Sequence, residues 1–428
     1  MKPQQQEIIP FTGYQKLVIL ILALTQFTVI LDFMIMSPLG DMLMKSMSLK
    51  PSAFGIAVSA YAFSAGISGL LTAGFADKFD RKKLLLFFYL GFIAGTVLCG
   101  MSNTYPLLLA ARIITGLFGG VIGSISMAII TDLFALQQRG RVMGFIQMGF
   151  GASQVLGIPI GLYLANHFGW EIPFFLTAAL AGVIAIVIML RLKPVTAHLL
   201  VQHDRSAFLH LWHTVSKPDY RIGFAATALL SIGGFMMMPF GSAFAINNLH
   251  VTNQQLPILF MISGVSSLLI MPLIGRLSDK ISKFKLFAAA SVWTMGMCIL
   301  YTNLSVTPFW LVVVFNILLM MGVMSRMIPS SALTSAVPEM EDRGAFMSIN
   351  ASLQQIAGGV AAAVAGMIVV QQSKGSPLQH YDTVGYVIVG ISICSILLMS
   401  RVSKMINRKI KDHPAPIKQD DVVISEGY

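Results

Sequence analysis

The chain has 428 residues, of which 56% are hydrophobic and 11% charged, with a formal net charge of +11. Its mean hydropathy is +0.77, and it lacks the roughly 25% of charged residues with which a water-soluble fold covers its surface, so lipid must cover most of it. The positive charge does not imply nucleic acid, because the basic residues are scattered in short loops between apolar runs and form no single patch.

From the N-terminus, the first fifteen residues are polar. The apolar run after Lys16 is too long for the core of a signal peptide and lacks an Ala-x-Ala exit, so no cleavable signal is expected. A bilayer core of about 30 Å takes roughly 20 apolar residues per helix. Spans are predicted near 17–38, 52–76, 84–101, 105–131, 142–166 and 173–191. A polar linker follows over 192–221, with His198, His203, His210 and His213 in no metal-ligand spacing. Six more spans are predicted near 222–247, 255–275, 286–303, 307–333, 345–370 and 383–400. The tail, 401–428, is charged and carries Pro414 and Pro416, a composition that predicts disorder. Cys99, Cys298 and Cys394 fall within apolar spans, far apart, and read as small buried hydrophobes with neither metal nor redox spacing.

Lys and Arg set the orientation. Of the 29, twenty-four lie in the termini, the central linker and the loops of one side, only Lys45, Lys50 and Lys374 lie on the other, and Arg112 and Arg326 lie inside spans. Both termini are therefore expected in the cytoplasm. The halves also repeat. Asp77 and Asp279, each followed by Lys, are offset by 202 residues, and Arg139-Gly140 and Arg343-Gly344 by 204. The expected fold is an all-α polytopic membrane protein of twelve transmembrane helices in two six-helix pseudo-repeats, 1–191 and 222–400. Parallel repeats of this kind place a transport site at the midplane between them.

The loop Ala73-Gly74-Phe75-Ala76-Asp77-Lys78-Phe79-Asp80-Arg81-Lys82-Lys83 resembles the loop motif of the major facilitator superfamily, with Ala73 and Asp80 where that motif usually has Gly. The second copy keeps Gly275 and has Ser282 at its later position. Arg112-Ile113-Ile114-Thr115-Gly116 resembles the family's helix-four motif. Gly149, Gly151, Gly157, Pro159 and Gly161 resemble its helix-five antiporter motif, although Ile158 splits the usual Gly-Pro. Arg326-Met327-Ile328-Pro329 and the stretch 343–359 look like the arabinose-efflux-permease-like group of the drug:proton antiporter branch. The resemblance covers nearly the whole chain and implies the major facilitator fold, with helices one and four beside a central cavity.

Several residues then stand out as candidates. An acid at Asp77 can cap a helix N-terminus, where unpaired N–H groups and the dipole attract negative charge. The resemblance implies that this helix is the eleventh, with Asp279 facing helix five by symmetry. Arg81 and Asp132 would complete this cytoplasmic gate cluster. A basic loop that merely sets topology is the competing reading. Asp32 and Arg112 are ionisable groups inside spans, and lipid makes such groups functional candidates by default. Counted along their helices, Asp32 lies roughly 24 Å in from one face and Arg112 roughly 10 Å from the other, which places both in the outer half. They are candidates for proton coupling, against the alternative of a static packing pair. Gln26, Asn316, Arg326 and Gln354 are candidates for lining a solute cavity, and Gly157, Pro159 and Gly161 for permitting conformational change or close packing. Arg326 can instead snorkel to the interface.

No Gly-x-x-x-x-Gly-Lys-Ser/Thr loop, His-Glu-x-x-His or Gly-x-Ser-x-Gly occurs in the sequence, which argues against ATP hydrolysis and the common membrane hydrolases. The reading is a non-enzymatic inner-membrane transporter without metal or cofactor. It is expected to act as a monomer, moving a small solute by alternating access through proton-coupled efflux. A proton-linked importer or facilitator of the same fold is the alternative. A receptor or lipid-remodelling protein is a remote one.

Overall fold

The computed structural model describes residues 10–72, 76–200, 207–339 and 341–412. Within them twelve helices are long and apolar enough to cross a membrane. They are α1 (Gly13–Ile35), α2 (Pro51–Thr72), α3 (Arg81–Gly100), α4 (Tyr105–Leu133), α5 (Gln137–Phe168), α6 (Ile172–Arg191), α7 (Pro218–Asn247), α8 (Leu256–Ser278), α9 (Lys283–Thr302), α10 (Phe309–Ser335), α11 (Arg343–Ile368) and α12 (Tyr381–Lys409). Helices satisfy their own backbone polar groups, which a bilayer requires. Local chemistry sets the starts. Thr12 and Gln15 form a reciprocal capping box at α1, and the Asp80 carboxylate accepts the Lys82 N–H at α3.

The clearest difference from the expected boundaries is at the C-terminal end. The last helix continues past Arg401 to Asp412, because Val402 and Ile406, four residues apart, are buried against the second half while Arg401 and Arg408 stay exposed. Cys394 is exposed on α12, unlike buried Cys99 and Cys298. Residues 413–428, with Pro414 and Pro416, and 201–206, with His203, lie outside the described residues.

The repeat is visible in how the helices pair. In the first half α3 packs on α4 and α6, α2 on α4, and α1 on α5 and α6. In the second half α9 packs on α10 and α12, α8 on α10, and α7 on α11 and α12, the same pairings six helices on. The halves meet along α2–α11 and α5–α8, which are also exchanged by the repeat. Lipid is as apolar as leucine, so these contacts depend on close backbone approach and not on the hydrophobic effect. A Cβ added to Gly55 would stand 2.7 Å from the Ala362 carbonyl and 3.1 Å from Cα of Gly366. Nearby, Ser59 Oγ donates across the interface to the Gly359 carbonyl at 2.7 Å.

The regular winding of α5 is interrupted midway. Pro159 has no N–H and its ring crowds the carbonyl four residues back, and Ser153–Gly157 winds as one wider π-turn just before it. Gly149, Ser153, Gly157 and Gly161, four residues apart, lie against α1. Added Cβ atoms at the three glycines would fall 2.7–2.8 Å from Ala23, Leu31 and Ile35, and Ser153 Oγ donates to the Phe27 carbonyl at 3.0 Å.

The two ends of the bundle are packed differently. At the end away from the termini, one apolar core joins both halves, and Phe54 meets Phe240 edge-on at 6.0 Å. Polar contacts cross there too. Asn247 Nδ2 donates to Asp41 Oδ1 at 2.6 Å, Lys45 Nζ reaches Asn247 Oδ1 at 3.2 Å, and Ser242 Oγ donates to the Ser37 carbonyl at 2.8 Å. Toward the terminal end the core separates into one cluster in each half, and the second takes in only Leu70 from the first half.

The linker is partly structured. It contains a helix, Ala207–Ser216, that leads into α7. Asp342, at the start of α11, accepts hydrogen bonds from Lys217 at 2.5 Å and Tyr220 at 2.9 Å, and lies 3.0 Å from His210 Nε2. The Lys217 ammonium, with help from His210 and Tyr220, holds the Asp342 carboxyl down at about 2, and Asp342 in turn raises Lys217.

Two outcomes follow from this packing. Gly55→Leu should wedge α2 from α11 and raise the labelling of a cysteine at Ser37 from the far end. Gly144→Ala, where an added Cβ meets nothing within 4 Å, should not, and equal labelling of both would remove the α2–α11 contact as the closing element. A depressed carboxylate stabilises above its unfolded value, near 4, and loses that contribution as pH falls through its folded value. The thermal-stability gap between wild type and Asp342→Asn should therefore shrink as pH falls below about 4. A gap unchanged at pH 3 would contradict the ion pair.

Candidate functional site

The charged centre of the first half is built from four helices. Asp32, three residues before the end of α1, and Arg112, on α4, are both 0% exposed. Arg112 Nη1 donates to Asp32 Oδ2 at 2.9 Å. Thr96 of α3 donates to Asp32 Oδ1 at 3.2 Å. The Arg112 guanidinium also lies over the Tyr61 ring of α2, 4.5 Å from its centroid, a cation–π contact that is worth on the order of 2 kcal/mol when desolvated. Among the described residues, Arg112 Nε and Nη2 have no hydrogen-bond partner. The carboxylate thus has one ionic and one hydroxyl donor, and the cation one carboxylate and one ring.

The centre touches the interface between the halves through aromatic rings. Tyr61 meets Phe33, the neighbour of Asp32, at 5.2 Å, and Phe33 meets Phe235 of α7 at 6.3 Å. Phe33 and Phe235 line a narrow pocket between the halves with Ser37, Met238 and Gln355. Tyr61, Phe33 and Thr96 were not read from the sequence. An aromatic or a threonine in an apolar span carries no pattern that distinguishes it from packing.

Arg81 and Asp132 meet at 3.3 Å, and Arg81 Nη1 also donates to the Ala76 carbonyl at 3.0 Å. Asp77 lies in the short 3-10 turn Ala76–Lys78. The side chains of Asp77 and Asp279 lie outside the described residues. The N-cap of α11, Asp342, makes no side-chain capping bond to that helix.

The geometry of a twelve-helix repeat with a buried charged centre can now be set beside known proteins. The model of the Major Facilitator Superfamily matches residues 22–362 and again 223–421. The chain belongs to this superfamily. It is 24% identical to an uncharacterised MFS-type transporter of Bacillus subtilis (strain 168), over 87% of this chain and 93% of the relative. It is 25% identical to multidrug resistance protein 2 of the same organism over 63% of this chain and 68% of that protein. It is 23% identical to a probable sugar efflux transporter of Mannheimia succiniciproducens, over 64% and 68%. Among solved structures, a bacterial homologue of the human lysosomal transporter Spinster, inward-facing and unoccupied, superposes with a TM-score of 0.74 at 14% identity, over 95% of this chain and 100% of the other. A D-xylose–proton symporter gives 0.74 at 15% identity, over 90% and 97%. The likeness to solved structures shows the fold.

This major facilitator chain is therefore a multi-pass membrane transporter and not an enzyme. Its four other polar candidates are dispersed. Gln26 is half-buried, and its side-chain oxygen faces Gly123 of α4. Asn316, which holds the repeat position of Arg112, accepts a 2.5 Å hydrogen bond from Ser263 of α8. Gln354 is exposed, and the adjacent Gln355 lines the pocket between the halves. Arg326 does not snorkel: it is 2% exposed and turned into its own half, with Nη1 donating to Ser392 of α12.

Breaking a buried pair by removing one partner typically costs about 3–5 kcal/mol, whereas replacing both by apolar groups is often near neutral. Asp32→Leu and Arg112→Leu should each lower thermal stability in detergent by that order, and the double variant should be more stable than either single. Additive losses would mean that the two charges are energetically independent.

Proposed function

We propose that the chain is a proton-coupled exporter of small solutes of the drug:proton antiporter type, with Asp32 as the proton carrier and Arg112 as its internal counter-charge. The observation that carries this reading is the fully buried Asp32–Arg112 pair, 2.9 Å apart on α1 and α4. A carboxylate inside a span is retained at a cost of several kcal/mol, and so marks an ion pathway more often than a packing device. Protonation of Asp32 cancels the attraction that holds Arg112 over Tyr61. The Tyr61–Phe33–Phe235 rings then offer a route for that change to reach the interface between the halves.

The excess of Lys and Arg in the loops of one side supports cytoplasmic termini in the inner membrane. With that orientation, the shared core and the Asp41–Asn247 contact close the outer end. Alternating access would open this end and close the other, with Asp77 held at the uncapped start of α11. Efflux is favoured over import by relatives named for multidrug resistance and sugar efflux.

Asp32→Asn keeps an acceptor oxygen for Arg112 and removes the titratable charge. In proteoliposomes with matched orientation and protein amount, screened against ethidium and a panel of labelled sugars and amino acids, wild type should move one of these against its gradient when a pH gradient is imposed. Asp32→Asn should lose this gradient-driven movement by at least tenfold and keep exchange of the same solute, which needs no net proton flow. Full accumulation by Asp32→Asn would end the role of Asp32. Accumulation in the inward direction would turn the exporter into an importer.

A further inference from the structure

The second half buries a cation that has no anion beside it among the described residues. Arg326 of α10 is 2% exposed, among the most enclosed charges in the chain. Its one described hydrogen bond is Nη1 to Ser392 Oγ at 3.3 Å, and Nε and Nη2 have no partner. None of the described salt bridges reaches it. The guanidinium lies over the Phe287 ring of α9 at 5.9 Å, the outer limit of a cation–π contact, which supplies no counter-charge. The contrast with Arg112 is direct, because that arginine has a carboxylate at 2.9 Å.

Around Arg326 stand serine hydroxyls, the Cys298 thiol and Ile391, and no carboxylate among the described residues. Ser291 follows Phe287 by one turn on α9, and Ser395 follows Ser392 by one turn on α12. Both hydroxyls are buried without a hydrogen-bond partner. Across from Ser392, α7 presents Gly233, where an added Cβ would stand 3.5 Å from Ile391, 3.9 Å from Ser392 Oγ and 4.0 Å from Nη2. The guanidinium, the Ser392 hydroxyl it donates to and, one helical turn along from Phe287 and Ser392, two unpartnered hydroxyls thus lie on helix faces that border Arg326. An isolated buried cation is expensive unless a partner charge and hydrogen bonds are supplied.

We propose that Arg326, with Ser291, Ser392 and Ser395, forms a binding site for a compact monovalent anion of chloride size, enclosed between α7, α9, α10 and α12. One anion balances one cation, a dianion would over-balance it, and hydroxyls solvate a halide without adding charge. The site lies inside the second half and is separate from the Asp32 centre of the first, so it stands whether or not transport is proton-coupled. It gives the second half from solution what the first half carries in its own sequence.

The test uses purified full-length protein in detergent, exchanged into gluconate at constant ionic strength. Thermal unfolding is followed while chloride, bromide or formate replaces gluconate. A ligand that binds only the folded state raises the midpoint with a saturable dependence. Wild type should gain about 5 °C in chloride and bromide. Arg326→Lys should need a higher chloride concentration for the same gain. Arg326→Met should show no chloride response, and in gluconate should be at least as stable as wild type, because the unbalanced charge is gone. A purely structural arginine would instead lower stability equally in both salts. Equal wild-type midpoints in gluconate and chloride would overturn the site, as would a chloride response that survives in Arg326→Met. A response to formate alone would overturn the halide and point to the carboxylate group of a solute. If Arg326→Met does not insert, Ser395→Val takes its place and must weaken the wild-type chloride response.

Discussion

The structure depends on how closely two pairs of helices approach across the middle of the molecule. Inside lipid there is no water to expel between helices, so association rests on packing and on polar contacts. α2 and α11 meet backbone to backbone at Gly55 and Gly366, and Ser59 bonds directly to a carbonyl of the other half. α5 and α8 form the symmetry-related contact, with Gly264 against Gln154. Because the repeat exchanges the two contacts, a rocking motion that tightens one end of each can loosen the other end without new chemistry.

Charge placement follows the same economy of contacts. The ionisable groups buried deepest in the spans, Asp32, Arg112 and Arg326, each lie on a helix that also bears on its own half's core or on the interface. Asp32 and Arg112 neutralise one another and lean on Tyr61, which reaches the facing half through Phe33. The repeat position of Arg112 holds Asn316, whose partner is a serine hydroxyl. The two halves share a fold and differ in how they handle charge.

The spans, the repeat and the shared level of Asp32 and Arg112 were legible in the sequence, because they depend on run length and on a rise of about 1.5 Å per residue. What was not legible is direction around each helix. A helix that is apolar all round has no periodic stripe to show which side faces a neighbour. Gln354 was chosen and Gln355 lines the pocket, one position and about 100° away. Cys394 was read as buried and is exposed. Arg326, near a helix end by count, points inward. Tyr61 and Thr96 matter only because of what stands opposite them, and single-helix patterns do not carry that information.

The segment between α6 and α7 bears on how the halves are held together. It runs from residue 192 to 217 and is tied to the second half through Lys217 and Asp342. Fully extended, a stretch of this length reaches about 85 Å, far more than the gap between neighbouring helices. It is docked on both halves, through Val195 against Asp80 and Arg81 and through the helix Ala207–Ser216 that leads into α7, and its contour length exceeds what joining them needs. Covalent continuity is then a matter of stoichiometry and co-synthesis, delivering one of each half to the same membrane patch. The pairing itself is written in the facing helix surfaces, as in a heterodimer whose two subunits happen to share a gene.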